Sequence, residues 1–234
     1  MNRIFIPALV IVLILTGSPL CLAQQVKHEP IEWSDIWIAN ANKDDRPRIL
    51  LVGDSITKGY YPAVETRLSG KANCARYATS KFLGDPDYLA ELSLILKRYK
   101  FDVIQINNGL HGLDYTEKEY KEALRNLLVT IKRRAPKAKL IWCTTTPVRA
   151  VKNLAQFNSE QNNRVIERNR IAAGIMNHHK IPIINLYEVV KDHPEYFEKD
   201  GVHFNDKGKI VQAKSISEAI AKSLSDKTNA GNGK

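Results

Sequence analysis

The chain has 234 residues, of which 44% are hydrophobic and 26% are charged, and a formal net charge of +10. Such a chain is long enough to bury the core of a single domain, and it contains no internal repeat or long low-complexity linker. The charge could favour an acidic polymer or an anionic surface, but the basic residues are scattered and no zinc-finger or RNA-binding signature occurs, so nucleic acid is excluded as an expected partner.

Residues 1–23 are predicted to form a signal peptide. Arg3 supplies a positive start, residues 4–15 are apolar, and Cys21-Leu22-Ala23 fits a cleavage site. A retained membrane anchor is the alternative, although a span takes about 20 apolar residues and this run is shorter. We therefore expect a secreted or periplasmic protein, cleaved near Ala23, without stable membrane insertion afterwards.

Residues 24–47 are predicted to be an amino-terminal extension with a short helix. Trp33 and Trp37 lie four positions apart and would share one face of that helix. Core packing of this face is the simpler interpretation, and a platform that stacks on sugars is the alternative.

From residue 48 onwards, short apolar runs alternate with amphipathic stretches, which predicts one domain over residues 48–226 and a polar tail over 227–234. The predicted strands are 49–53, 72–78, 103–107, 140–145 and 181–186. The predicted helices are 62–68, 86–99, 117–134, 160–179 and 206–224. This alternation is typical of an α/β fold whose parallel sheet is covered on both faces and places its active groups beyond the carboxyl ends of the strands.

Two cysteines, Cys74 and Cys143, remain after the predicted cleavage. With a strand order of 2-1-3-4-5 they would lie three strand spacings, or about 14 Å, apart. A disulfide tolerates only roughly 4.4–6.8 Å between Cα atoms, so both are predicted to be free, buried thiols.

The segment Gly53-Asp54-Ser55-Ile56-Thr57-Lys58-Gly59 follows the first predicted strand. It does not fit a phosphate-binding loop, because its lysine and hydroxyl are wrongly placed, nor the G-x-S-x-G turn of α/β-hydrolases, because position 57 is threonine. Ser55 is therefore either a nucleophile or a residue that caps the next helix.

A nucleophilic serine needs a base, and two of the six histidines, His111 and His203, lie in loops after predicted strands. His203 follows Asp200 by three residues, with Gly201 between them, so that the carboxylate can turn back onto the imidazole Nδ1 and leave Nε2 for a serine. This pair, placed just before the last predicted helix, is a strong signal together with the Gly-Asp-Ser segment.

These motifs, which lie between residues 48 and 208, resemble those of the SGNH hydrolases, the family also named for its GDS(L) motif. The resemblance implies a flavodoxin-like three-layer α/β/α sandwich with a five-stranded parallel sheet in the order 2-1-3-4-5. It also implies that Ser55 is the nucleophile, His203 the general base and acid, and Asp200 its orienting partner.

The family forms its oxyanion hole from the serine N–H, a glycine after the second strand and an asparagine after the third. Here the second position lacks the glycine, so Ser80 could offer its N–H, and the third reads Asn107-Asn108-Gly109-Leu110-His111, which resembles an N-x-G-L-H subgroup. Ser55, Ser80, Asn107 and Asn108 are thus the predicted oxyanion-hole residues, with Asn107 favoured over Asn108.

The residues predicted to contact substrate are Asp54, Tyr60, His111 and Arg149, the last from a loop over residues 149–156. His111 could equally be a hydrogen-bonded loop residue, and Arg149 could face solvent.

The predicted function is that of a secreted serine esterase that removes O-acyl, especially O-acetyl, groups from carbohydrate, without metal or cofactor. Its predicted partner is a small-molecule or polysaccharide ester, and the sequence does not specify an oligomeric state. The alternatives are a lipase or lysophospholipase of the same family, and a non-catalytic module that binds glycans in the same cleft.

Overall fold

The computed structural model of the protein describes residues 26–231. The predicted signal peptide lies outside the described residues and stays a prediction. Within the described range, no helix combines the length and the apolar character that crossing a bilayer requires.

A six-stranded sheet forms the centre of the domain, in the order β1-β3-β2-β4-β5-β8. Its strands are β1 (Ser34–Ile38), β2 (Arg48–Gly53), β3 (Asn73–Thr79), β4 (Val103–Ile106), β5 (Lys139–Cys143) and β8 (Ile183–Ile184). The last five are parallel, and their order is the predicted 2-1-3-4-5. Strand β2 lies near the centre of the sheet and is completely buried, as its apolar run indicates.

The amino-terminal extension contains a strand, β1, and the predicted short helix there is wrong. β1 pairs antiparallel with the outer edge of β3, whose backbone groups would otherwise lack partners. The spacing of Trp33 and Trp37 also places them on one side of an extended chain, since side chains alternate along a strand. Trp37 is 55% exposed and Trp33 is half-buried, so neither packs in the core.

Six α-helices surround the sheet: α1 (Ser55–Arg67), α2 (Pro86–Arg98), α3 (Glu117–Arg134), α4 (Ser159–His178), α5 (Leu186–Val190) and α6 (Asp206–Gly231). The limits of α3 are those predicted. Helix α1 begins at Ser55 rather than at residue 62, and Pro62 lies inside it. Helix α6 runs to Gly231, past the predicted end at residue 224 and into the predicted polar tail.

Two hydrophobic clusters fill the space between the sheet and the helices. One cluster packs α2, α3 and α4 against one face of the sheet, with Leu50 and Ile104 in its centre. The other packs α1, α5 and α6 against the opposite face, around Leu51 and Ile216. The result is the expected three-layer α/β/α sandwich.

The two cysteines are free and buried, as predicted. Cys74 lies on β3 and Cys143 on β5, with β2 and β4 between them. Burial raises the pKa of the Cys74 thiol to about 12, so it stays protonated and behaves as a small apolar side chain.

Candidate active site

Ser55 is held at the junction of the central strand β2 with helix α1. Asp54 is the N-cap of α1, and its Oδ1 accepts a hydrogen bond of 2.9 Å from the N–H of Ile56. A Cβ atom on Gly53 would lie 2.0 Å from Oγ1 of Thr57, so only glycine lets the helix start directly at the strand end. Ser55 is therefore both the first residue of the helix and a rigidly positioned hydroxyl.

Asp200 and His203 lie in a tight turn that precedes α6. Oδ1 of Asp200 accepts hydrogen bonds of 2.9 Å from the backbone N–H groups of Val202 and His203. Gly201 has a φ of +72°, and a Cβ atom there would meet the carbonyl oxygen of Arg149 at 2.4 Å. The Asp-Gly-x-His spacing thus allows the tight turn to form and brings the carboxylate of Asp200 to the imidazole of His203.

The structure brings these three side chains into one hydrogen-bonded chain. Oδ2 of Asp200 lies 2.6 Å from Nδ1 of His203, and Nε2 of His203 lies 2.9 Å from Oγ of Ser55. Partial burial opposes ionisation of Asp200, but the hydrogen bonds from His203 and the two backbone amides outweigh it and lower the pKa of that carboxyl group. An ionised carboxylate at Nδ1 leaves Nε2 able to accept the serine proton.

The predicted oxyanion donors have different surroundings. The N–H of Ser55 has no acceptor within its own helix, because it lies in the first turn. Nδ2 of Asn107 donates to the carbonyl of Cys143 at 2.9 Å with one of its two hydrogens, and the other can serve a ligand. Nδ2 of Asn108 donates to the carbonyl of Lys81, and Asn108 is fully buried. Each amide has one further hydrogen, and Asn107, which is 5% exposed, is the more accessible of the two.

The structure contradicts the prediction that Ser80 supplies an oxyanion donor. The N–H of Ser80 donates to the carbonyl oxygen of Trp33, and its Oγ accepts from the N–H of Trp33. Both groups are therefore used to attach the amino-terminal segment to the edge of β3, an attachment that sequence reasoning missed.

Three of the four residues predicted to contact substrate are buried and form hydrogen bonds within the protein. Asp54 is fully buried and caps α1, and Tyr60 is 1% exposed, with its hydroxyl donating to Gln105 within the core. Arg149 lies on the hairpin formed by β6 (Arg149–Ala150) and β7 (Asn153–Phe157), where a loop was predicted. Its guanidinium is buried and donates to the carbonyl oxygens of Leu154 and Lys191, so it does not reach a substrate.

A cavity of about 230 Å³ opens beside Ser55 and His203. Half of the residues around it are apolar, and the complete lining is Glu29, Ser55, Leu110, His111, Leu113, Val148, Gln161, Val165, Val202 and His203. Of the four predicted substrate contacts, only His111 is among them. Glu29 and Gln161 were missed, since neither belongs to a motif with recognisable spacing.

The loop of residues 109–115, which carries His111, is held in place from the side of helix α4. Arg168 is fully buried and donates to the carbonyl oxygens of Gly109, His111 and Gly112, at 3.2, 2.7 and 2.6 Å. Its guanidinium lies 5.1 Å from the ring centre of Tyr120. Sequence patterns do not predict the hydrogen bonds of Arg168 to this loop, because they join positions more than fifty residues apart.

Among the described residues, one group of side chains could offer three ligands to a metal ion. His28, Glu32 and Asp85 place ligand atoms within 4.8 Å of one another. His28 and Glu32 already bond each other at 2.8 Å, and Asp85 caps α2. None of the three lines the cavity beside Ser55.

Solved structures with the same fold include several esterases and lipases. An aryl esterase from M. smegmatis superposes with a TM-score of 0.64 at 14% identity, covering 75% of this chain and 99% of that one. A GDSL-like lipase from Bacteroides thetaiotaomicron gives 0.57 at 20% identity, covering 75% and 88%. A carbohydrate acetylesterase from Sinorhizobium meliloti gives 0.64 at 13% identity, covering 76% and 99%. These identities establish similarity of fold.

The sequence profile of one family extends from the strand before Ser55 to the start of the last helix. This is the GDSL-like lipase/acylhydrolase family, whose profile matches residues 51–209. No curated protein sequence matches the chain. Because the family profile covers more than half of the chain and includes the Ser55, Asp200 and His203 positions, this protein belongs to the GDSL-like lipase/acylhydrolase family and is a hydrolase of carboxylic esters.

Proposed function

We propose that the protein is an exported serine esterase that removes short O-acyl groups, above all O-acetyl groups, from carbohydrate. The observation that carries the proposal is the 2.9 Å contact between Oγ of Ser55 and Nε2 of His203, with Asp200 bonded to the other ring nitrogen. A serine hydroxyl becomes a useful nucleophile when a base so placed takes its proton. Export rests on the predicted signal peptide.

The acylation step begins with attack of Ser55 Oγ on the ester carbonyl carbon. Nε2 of His203 takes the hydroxyl proton, and the carboxylate of Asp200 stabilises the resulting imidazolium. The negative charge on the former carbonyl oxygen is stabilised by the N–H of Ser55 and the free amide hydrogen of Asn107. The bond to the alcohol oxygen then breaks, His203 returns its proton to that oxygen, and the acyl group stays on Ser55.

Deacylation repeats these events with water in place of the serine. His203 takes a proton from the water as its oxygen attacks the acyl carbon, and the carboxylic acid leaves when Ser55 Oγ regains the proton. The side chain of His203 is 47% exposed, so water and an alcohol of the substrate can both reach it.

The size of the cavity favours a small acyl group. Its volume of about 230 Å³ is below the range of roughly 300–1,000 Å³ typical of drug-sized ligands, and half of its lining residues are apolar. This argues against the lipase alternative, since a long acyl chain would extend well outside the cavity. Membership of a hydrolase family argues against the non-catalytic glycan-binding alternative.

Carbohydrate as the alcohol part is supported by fold-level similarity to the carbohydrate acetylesterase from Sinorhizobium meliloti. The open position of His203 fits this as well, because most of a bulky alcohol can remain in solvent while its acetylated end enters the cavity.

Release of acetate from O-acetylated polysaccharide tests the proposal. We expect the purified protein without residues 1–23 to release acetate and to hydrolyse p-nitrophenyl acetate much faster than p-nitrophenyl octanoate. The variant Ser55→Ala should release no acetate above background. A wild-type protein that prefers the octanoate ester would support the lipase alternative, and acetate release by Ser55→Ala would remove Ser55 from the mechanism.

A further inference from the structure

The amino-terminal segment (residues 27–33) lies across the 109–115 loop and reaches the cavity beside Ser55. The N–H of Lys27 donates to Oη of Tyr115 at 2.6 Å, and Oε1 of Glu29 accepts from the N–H of Gly112 at 2.6 Å. At its other end the N–H of Trp33 donates to Oγ of Ser80, and the carbonyl oxygen of Trp33 accepts from the N–H of Ser80. The segment therefore forms part of the wall of the cavity.

Glu29 and His111 meet in this wall. Oε1 of Glu29 lies 3.5 Å from Nδ1 of His111, and both side chains line the same cavity as Ser55 and His203. They are 24% and 22% exposed, so the pair is partly shielded from water but open to a ligand. Two imidazoles that each face a carboxylate thus line the cavity, and of these two it is His203 that contacts Ser55.

The contact between Glu29 and His111 favours the charged form of each side chain. Burial alone would lower the pKa of His111, but the contact with Glu29 and the charge of Asp54 outweigh it and raise that pKa. The contact with His111 is also the largest influence that lowers the pKa of Glu29. When His111 is neutral, the carboxylate of Glu29 favours the proton on Nδ1, and Nε2 is then a hydrogen-bond acceptor.

We propose that Glu29 is a positioning residue that holds His111 so that its Nε2 accepts a hydrogen bond from a hydroxyl of the carbohydrate next to the scissile ester. The amino-terminal segment is then part of the substrate site, and Glu29 is its functional residue. Leu110, Leu113 and Val165 line the same cavity but cannot hydrogen-bond a hydroxyl, and the amide oxygen of Gln161 already accepts from Asn158. This inference rests on the proposed esterase function. It identifies the residue that favours sugar esters over esters without sugar hydroxyls.

The test compares Glu29→Gln with wild type on two esters, an acetylated sugar and p-nitrophenyl acetate, which lacks sugar oxygens. Glutamine keeps an oxygen that can accept from the N–H of Gly112, so the loop contact survives, but it removes the charge that orients His111. We expect kcat/KM for the sugar ester to fall about 10- to 100-fold more than kcat/KM for p-nitrophenyl acetate, mostly through KM. Thermal unfolding of the variant checks that the fold is retained.

Two further variants complete the design. Glu167→Gln is the matched control, because Glu167 bonds Arg170 on the surface of α4 and does not line the cavity, and it should match wild type on both esters. His111→Phe should show the same selective loss as Glu29→Gln. His111→Gln should recover part of the activity on the sugar ester, since its amide oxygen can accept a hydrogen bond close to the position of Nε2.

Equal losses on the two esters, or no loss on either, would overturn the inference, because Glu29 would then be structural or irrelevant. So would a wild-type protein that hydrolyses p-nitrophenyl acetate but no sugar ester, although the serine esterase chemistry would stand. A wild-type protein inactive on both esters would refute the proposed function itself and this inference with it.

Discussion

Replacement of His203 by alanine is expected to lower kcat for ester hydrolysis by about 10⁴- to 10⁶-fold. The variant loses the only side chain within hydrogen-bonding distance of Oγ of Ser55 among the described residues, so the hydroxyl keeps its proton. The imidazole also protonates the leaving alcohol, and its loss therefore affects both halves of the reaction. The measurement is the steady-state turnover of p-nitrophenyl acetate.

The matched control is His178→Ala, which removes an exposed imidazole at the end of α4 and should leave turnover unchanged. Asp200→Ala should reduce kcat less than His203→Ala does, since His203 can still act as a base without its orienting carboxylate. A decrease of less than tenfold in His203→Ala, with the fold intact, would contradict the role of this residue.

Replacement of Arg168 by methionine is expected to reduce the free energy of unfolding by about 3–5 kcal/mol. Methionine fills part of the volume but leaves the buried carbonyl oxygens of Gly109, His111 and Gly112 without their donor. Urea unfolding monitored by circular dichroism gives the value. Because these carbonyls belong to the loop that carries His111, kcat/KM for sugar esters should fall as well.

Arg170→Met on the same helix is the control for this prediction. Arg170 is 72% exposed and pairs with Glu167 at the surface, so its loss should leave the unfolding free energy close to that of the wild type. Equal stabilities of the two methionine variants would show that the buried guanidinium is not what holds the loop.

The parallel sheet could be predicted because each of its strands carries its own signal. The run from Ile49 to Val52 is fully apolar, as a strand covered on both faces must be, and the helices show a 3.6-residue period that ends at capping residues. The contact between Asp200 and His203 could be predicted from the sequence for the same reason, since both residues lie within four consecutive positions.

The amino-terminal segment could not be predicted in the same way. Trp33 and Trp37 are compatible with one face of a helix or of a strand. The edge of β3 decides between the two, and the paired residues of β1 and β3 are 37 to 45 positions apart in the chain. The same edge uses the N–H of Ser80, and the same segment brings Glu29 to the cavity. Pairings between distant segments leave no periodic trace in either of them.

The prediction that Tyr60 and Arg149 contact substrate is wrong because proximity to the site in sequence does not imply that a side chain faces the substrate. Tyr60 follows Ser55 by five residues on a helix, which turns it towards the sheet, where its hydroxyl bonds Gln105. Arg149 follows the end of β5, but its guanidinium lies 4.8 Å from the ring centres of Phe157 and Phe197. The aromatic residues that bury it come from separate elements.

The proposed mechanism requires that the imidazole of His203 makes the hydroxyl of Ser55 reactive. Covalent labelling with a fluorophosphonate measures this reactivity most directly. Mass spectrometry of the digested protein should find the phosphonyl group on Ser55 of the wild type and at most a trace of it in His203→Ala. Absence of label on Ser55 in the wild type, or labelling at the same rate in His203→Ala, would contradict the account.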